Sequence, residues 1–280
     1  MTMNLPVKIL LVCDDHETSE TIAALLTGFD DIVVAGKSRS STAERAAASP
    51  EVQAIWINLY PAPVQALSTL ATLVHRYPEK THWVSARDLD PDLMRTAFRL
   101  GALEYLHHDS LKEELPLALE RRHQARPRYH GPPSGKNTKK TTLKTLLVSD
   151  DAPTRIKRIE DLLRKRKDIA IAGTVCIDEA LEKIGFLQPR LVWIDLSPDP
   201  DRSLPLIKRA RDLLPQTNIF VSYDYPDPVL IKKAYDLGAA DFLDPERWKT
   251  DLPAALVPIL PQAKPESIWW SLLRRLLGSS

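Results

Sequence analysis

The residues best suited to chemistry in this 280-residue chain are acids that stand directly after apolar runs. Asp150 and Asp151 follow Leu146, Leu147, Val148 and Ser149, Asp195 follows Leu-Val-Trp-Ile, and Ser222 follows Asn-Ile-Phe-Val. If those runs are neighbouring strands, three carboxylates meet at one sheet edge, and keeping them all ionised calls for a cation. Oxygen donors of this kind suit Mg²⁺, which retains several waters and takes few carboxylates. Asp195, one residue beyond its run, is then presented as a nucleophile, and Ser222 is placed to hydrogen-bond an incoming phosphoryl oxygen. A plainer reading of Asp150 and Asp151 is that they cap the helix that follows.

The elements that would position these groups occur twice. KILLVCDD (8–15) matches KTLLVSDD (144–151), DIVVAG (31–36) matches DIAIAG (168–173), and AIWINLYP (54–61) matches LVWIDLSP (191–198). THWVSA (81–86) matches NIFVSY (218–223), and LGALEYL (100–106) matches LGAADFL (237–243), always in the same order and at an offset of 136 or 137 residues. The chain is therefore one fold repeated. Within each repeat, short Ile/Val/Leu-rich runs (Ile9–Val12, Ile32–Val34, Ile55–Leu59, Trp83–Val84) alternate with helical patterns such as Ser19–Leu26 and Pro91–Leu100. Strands apolar on both faces and separated by amphipathic helices predict a parallel sheet covered on both sides. Five such units per repeat predict two flavodoxin-like, doubly wound, five-stranded α/β domains in tandem. Ligands of that architecture sit outside the carboxyl ends of the strands, where the acids fall.

On these motifs, both halves resemble receiver domains of bacterial two-component response regulators, over about 115 residues each. The resemblance implies that Asp195 is the phosphoacceptor, that Asp150 and Asp151 hold Mg²⁺ with it, that Ser222 senses the phosphoryl group, and that Phe242 is the switch aromatic. It implies output through protein contacts on the face of the fourth helix, fifth strand and fifth helix, with a sensor histidine kinase as one partner and a homodimer left open.

The departures from the family are specific. The first repeat carries Asn58 at the phosphoacceptor position, and an amide is not a competent nucleophile. Asp14, Asp15, Asn58 and Ser85 thus form a degenerate pocket, and the first domain resembles a pseudo-receiver. The lysine that the family places after the fifth strand is missing from both halves, which read His107-His108 and Asp244-Pro245 there. Ser197-Pro198-Asp199-Pro200 is also unlike the family's loop after the third strand.

Charge and proline divide the chain further. Residues 1–120 carry a balance of −7, whereas 121–144 hold eight basic residues and no acid. With Pro127, Gly131, Pro132, Pro133 and Gly135, that segment reads as a linker. The expected organisation is a degenerate receiver-like domain (1–124), a basic linker (125–142), a receiver-like domain (143–260), and a Pro-rich segment with an amphipathic helix (261–280). In that last segment Trp269, Trp270, Leu272, Leu273, Leu276 and Leu277 share an arc of roughly 200° at about 100° per residue, and Arg274 and Arg275 lie outside it. Eleven residues make no stable helix in water, so the tail needs a surface. Paired Trp with Arg suits an anionic membrane, and the same face suits a partner protein or a receiver face. The linker has one aromatic, Tyr129, and hence almost no stacking platform for nucleic acid, so a solvated spacer is expected.

Composition bounds the rest. Apolar residues at 44% and charged residues at 27% exclude a disordered chain, and a net charge of +1 excludes a globally basic nucleic-acid binder. Two cysteines imply no disulfide framework and fit a reducing cytosol. Cys13 reads as a buried structural thiol, and Trp56 and Trp193 as core. No run is long enough to span a membrane, and the opening lacks a cationic leader. A cytoplasmic protein is expected, with the tail allowing contact at the inner membrane face. Three functions fit: a signalling or scaffold protein whose second domain accepts phosphate on Asp195, a phosphate-independent adaptor of two pseudo-receivers tethered by the tail, and an RNA-binding antiterminator-like regulator. No conventional enzyme activity is expected, since no further catalytic motif is present.

Overall fold

A computed structural model describes residues 6–123, 142–150, 153–225 and 227–260, which form two compact units. In the first unit, β1 (Val7–Val12), β2 (Ile32–Ser38), β3 (Ala54–Asn58), β4 (Thr81–Ala86) and β5 (Glu104–His107) make one parallel sheet in the order β2-β1-β3-β4-β5. In the second, β6 (Leu143–Val148), β7 (Ile169–Val175), β8 (Leu191–Asp195), β9 (Asn218–Ser222) and β10 (Asp241–Leu243) make the order β7-β6-β8-β9-β10. These are the doubly wound sheets that the strand patterns predict, and both reverse direction beside the first strand of their repeat.

The likeness extends to detail. Each sheet carries a register shift in its first strand, between Ile9 and Leu10 and between Thr145 and Leu146. The peptide bonds Tyr60–Pro61 and Ser197–Pro198 are both cis. Strand alternation then sorts the core. Ile9, Leu11, Trp56 and Trp83 pack with Ile22 and Leu26 of α1 (His16–Leu26) and with Leu111, Leu115 and Ala118 of α5 (Leu111–His123). On the opposite face lie α2 (Ala43–Ala47), α3 (Pro63–Arg76) and α4 (Pro91–Leu100), which bury Leu67, Leu70, Met94 and Phe98. The second unit repeats this with α6 (Pro153–Arg164) and α10 (Trp248–Leu256) over Leu147, Trp193 and Phe220. Its remaining helices are α7 (Ile177–Leu187), α8 (Pro200–Leu213) and α9 (Pro228–Asp236).

Several boundaries differ from the sequence expectation: β1 begins at Val7, β2 continues to Ser38, and β3 spans Ala54–Asn58 rather than Ile55–Leu59. The first helix begins at His16 rather than Ser19, because Asp15 caps it by accepting the Thr18 N–H at 2.7 Å. The fourth strand runs over Thr81–Ala86 rather than two residues, because His82 and Ser85 are buried between neighbouring strands despite their polarity. Among the described residues no helix is long and apolar enough to cross a membrane. The tail residues Trp269, Trp270, Leu272, Leu273, Arg274, Arg275, Leu276 and Leu277 lie outside the described residues, as does nearly all of the basic linker.

Candidate functional site

The carboxyl ends of β1, β3 and β4 bring the expected residues of the first repeat to one edge. The two acids do different work. Asp15 is the helix cap, and hydrogen bonds from Thr18 hold its carboxyl below the usual range. Asp14 ties β1 to the loop after β2, accepting the Ser40 N–H at 2.8 Å and the Ser40 hydroxyl at 2.5 Å. The capping reading is thus met by one acid of the pair.

Asn58 and Ser85 are buried and paired in register across β3 and β4. Trp56 Nε1 donates to Ser85 Oγ at 2.8 Å, and Ser85 Oγ donates to Asn58 Oδ1 at 3.3 Å. Asn58 Nδ2 donates to the Tyr60 carbonyl at 2.9 Å and to Cys13 Sγ at 3.4 Å. His108 Nε2 lies 3.0 Å from Asn58 Oδ1 and 3.3 Å from Ser85 Oγ. Burial, with Arg87 adding to it, pushes the His108 imidazole below its ordinary value, so it is neutral at pH 7. Neutral His108 with its proton on Nε2 is the tautomer this network accepts. Every group is satisfied without a charge at the centre. Cys13 is a buried thiol, as expected, and burial raises its pKa.

The second repeat builds the same edge with opposite electrostatics. Asp195 and Ser222 are fully buried and in register across β8 and β9, and Trp193 Nε1 donates to Ser222 Oγ at 2.9 Å. Trp56 and Trp193 are core residues, as expected, but each also orients the serine of its site. Asp150 accepts the Ile177 N–H at 2.8 Å, the counterpart of the Asp14–Ser40 tie. Its other oxygen is 2.5 Å from Nη1 of Arg202, which also holds Asp178 at 2.7 Å. Asp195 faces a second arginine. Arg155 Nη1 is 3.4 Å from Asp195 Oδ1 and hydrogen-bonds Ser197 Oγ, while its Nη2 pairs with Asp224. Ser149 Oγ and the Ser197 N–H each approach Asp195 at 3.4 Å.

Asp151 lies outside the described residues. The two described members of the Mg²⁺ set, Asp150 and Asp195, do not fit that ion as arranged. Both Asp150 oxygens are taken by N–H donors, and each carboxylate meets a guanidinium. Among the described residues no three His, Cys, Asp or Glu are grouped to hold a metal. Phe242 is fully buried, as is its counterpart Tyr105, whose hydroxyl donates to the Asp88 carbonyl at 3.1 Å.

Arg155, Arg202, Ser40 and Asp224 were not identified by the sequence reading. The available signal was the comparison of the repeats. Four residues beyond the acid pair stands Ser19 in one half and Arg155 in the other, and two beyond the serine stands Arg87 in one and Asp224 in the other.

No family model matches the chain, and no curated protein matches it. Solved structures do. The isolated REC domain of RcsB from Salmonella enterica serovar Typhimurium, in the presence of phosphomimetic BeF3-, is 23% identical over 47% of this chain and 99% of its own, with a TM-score of 0.39. The signal receiver domain of an HD domain-containing protein from Pseudomonas fluorescens Pf-5 is 23% identical over 43% of this chain and 99% of its own, at 0.38. A LuxR-family two-component response regulator from Aurantimonas sp. SI85-9A1 is 20% identical over 49% and 99%, at 0.38. These neighbours are described as receiver domains and response regulators.

Proposed function

We propose that this chain is a signal-transduction adaptor of two receiver-like units that works through protein contacts and without a phosphoryl group. The observation that carries this reading is that the described residues of both strand-end pockets partner one another. One is closed by the neutral Asn58–Ser85–His108 network, and the other by the Asp195–Arg155 pair. Asn58 has no lone-pair oxygen of carboxylate basicity to attack a phosphoryl donor, and Asp195 is engaged by a guanidinium that lowers its nucleophilicity. No enzymatic turnover and no nucleic-acid target form part of this reading. The C-terminal Trp/Leu stretch is the tether that the sequence offers, to a partner protein or a membrane.

A second reading, in which the second unit is a phosphorylated receiver, is favoured by the register pairing of Asp195 with Ser222 at the β8–β9 edge. It requires Mg²⁺ to displace Arg202 from Asp150 and Arg155 from Asp195. Intact mass after incubation with Mg²⁺ and acetyl phosphate separates the two. The adaptor predicts no phosphoryl-sized adduct on the native chain. An adduct that disappears in Asp195→Asn establishes the second reading instead and makes a histidine kinase the partner to seek.

A further inference from the structure

We infer that Arg155 is the resident cation of the second strand-end site and takes the place of a divalent metal ion there. The inference rests on the second unit being receiver-like, and goes beyond that reading by assigning the charge that makes a buried Asp195 tolerable.

A carboxylate with no exposed surface, such as Asp195, is costly to ionise unless an opposite charge is at hand. Arg155 supplies one from the first turns of α6. Its side chain is only 17% exposed, and guanidinium remains protonated throughout the pH range in which proteins fold. Among the described residues it reaches Asp195 at the end of β8, Ser197 just beyond it, and Asp224 after β9. One planar cation thus spans the edge that a metal would have to bridge. A Mg²⁺ ion approaching Asp195 would meet that guanidinium at close range and would find Asp150 already paired with Arg202.

The repeats provide an internal control. Where the strand-end residue is the neutral Asn58, the position four beyond the acid pair is Ser19, and the position two beyond the serine is Arg87. Where the strand-end residue is Asp195, the same positions are Arg155 and Asp224. The position that aligns with Arg202 is Gln65, and Asp14 there is held by Ser40 without any cation. Guanidinium groups bond Asp150 and Asp195 directly in the half that keeps the strand-end carboxylate, whereas in the other half Asn58 sits in an uncharged hydrogen-bond network and Arg87 acts on Asp15 and His108 only through space.

The test is Mg²⁺ dependence of thermal unfolding in the full chain, with Arg155→Gln, Asp195→Asn and their double variant. If Arg155 is the resident cation, the native transition does not move between EDTA and millimolar Mg²⁺. Arg155→Gln unfolds several degrees lower, and Mg²⁺ raises it again, because the Asp195 carboxylate, having lost the guanidinium, can then take the ion. That rescue is absent from Arg155→Gln/Asp195→Asn, which is itself more stable than Arg155→Gln in EDTA. A native chain that Mg²⁺ stabilises, with the effect lost in Asp195→Asn, overturns the inference, as does an Arg155→Gln transition no lower than native. Should Arg155→Gln fail to fold, recovery of folding through Mg²⁺ or through added Asp195→Asn is expected, and recovery through neither overturns it. Phosphoryl uptake is read separately by mass, so a metal-binding native chain that takes no phosphoryl group removes this inference and leaves the adaptor standing.

Discussion

At the scale of single residues, one atom pair separates the two sites. Asn58 presents Nδ2 to the Tyr60 carbonyl and Cys13 Sγ, and Oδ1 to Ser85 and His108. A carboxylate there would lose both Nδ2 bonds and set a negative charge against a carbonyl, with no guanidinium in the position that Arg155 holds in the other half. Asn58→Asp is therefore expected to destabilise the first unit by about 2–4 kcal/mol. It is also expected to raise the pKa of His108, since the imidazolium would become the nearest counter-charge. Denaturant unfolding and the histidine ring resonances followed against pH check both. A variant as stable as the native chain, with an unshifted His108, would mean that the amide network is not what holds this edge. Restoring the acid is not expected to restore a functional site, because its counter-ion is missing as well.

At the scale of elements, the helices are placed by caps whose consequences differ between the repeats. α4 ends on Gly101 at φ 106°, and α9 is followed by Gly238 at φ 106°. Both positions need the left-handed region that favours glycine. They differ in space. A Cβ on Gly101 would come within 2.8 Å of Val74 Cγ1 on α3, whereas one on Gly238 would meet the flexible Arg211 side chain at 3.5 Å, an ordinary contact. Both alanine variants carry the backbone strain, about 1–2 kcal/mol, and Gly101→Ala must also push α3 away. Gly101→Ala is expected to cost more than Gly238→Ala when each is measured by chemical denaturation. Equal costs would show that the α3–α4 contact yields freely.

At the scale of the whole molecule, the repeats share a fold but not their histidines. All seven histidines lie within residues 1–130, so the second unit's described residues contain none. His82, 3% exposed in β4, is pushed down to about 4, chiefly by burial, and its Nε2 finds no hydrogen-bond partner among the described residues. In the unfolded chain the ring takes up a proton below about 6.5. Between about 6.5 and 4 the unfolded state therefore binds more protons than the folded one, and stability falls as pH falls. The full effect is about 3 kcal/mol, felt by the first unit alone. Unfolding followed from pH 7 to pH 4 is expected to show the first unit's transition moving down. In His82→Leu that movement is largely removed. A shift shared equally by both units, or one untouched by His82→Leu, would assign the acid sensitivity elsewhere.

The sequence by itself determined the repeat, the five βα units of each half, the strand-end placement of Asp14, Asn58, Asp150 and Asp195, and the amide-for-carboxylate difference between them. These follow from local patterns. Apolar periodicity of strands and helices is written over a few residues, and whether a side chain is an amide or an acid is a property of the residue itself. What only the tertiary structure decided is where the charges go. Arg155 and Asp195 are 40 residues apart, and Arg202 and Asp150 are 52 apart, with each pair joined by long side chains from separately packed elements. No periodicity encodes such a pairing, because it depends on helix placement and on side-chain reach across a sheet edge. The same holds for His108, which sequence places merely after a strand and the fold brings to 3.0 Å from Asn58, where burial keeps it neutral.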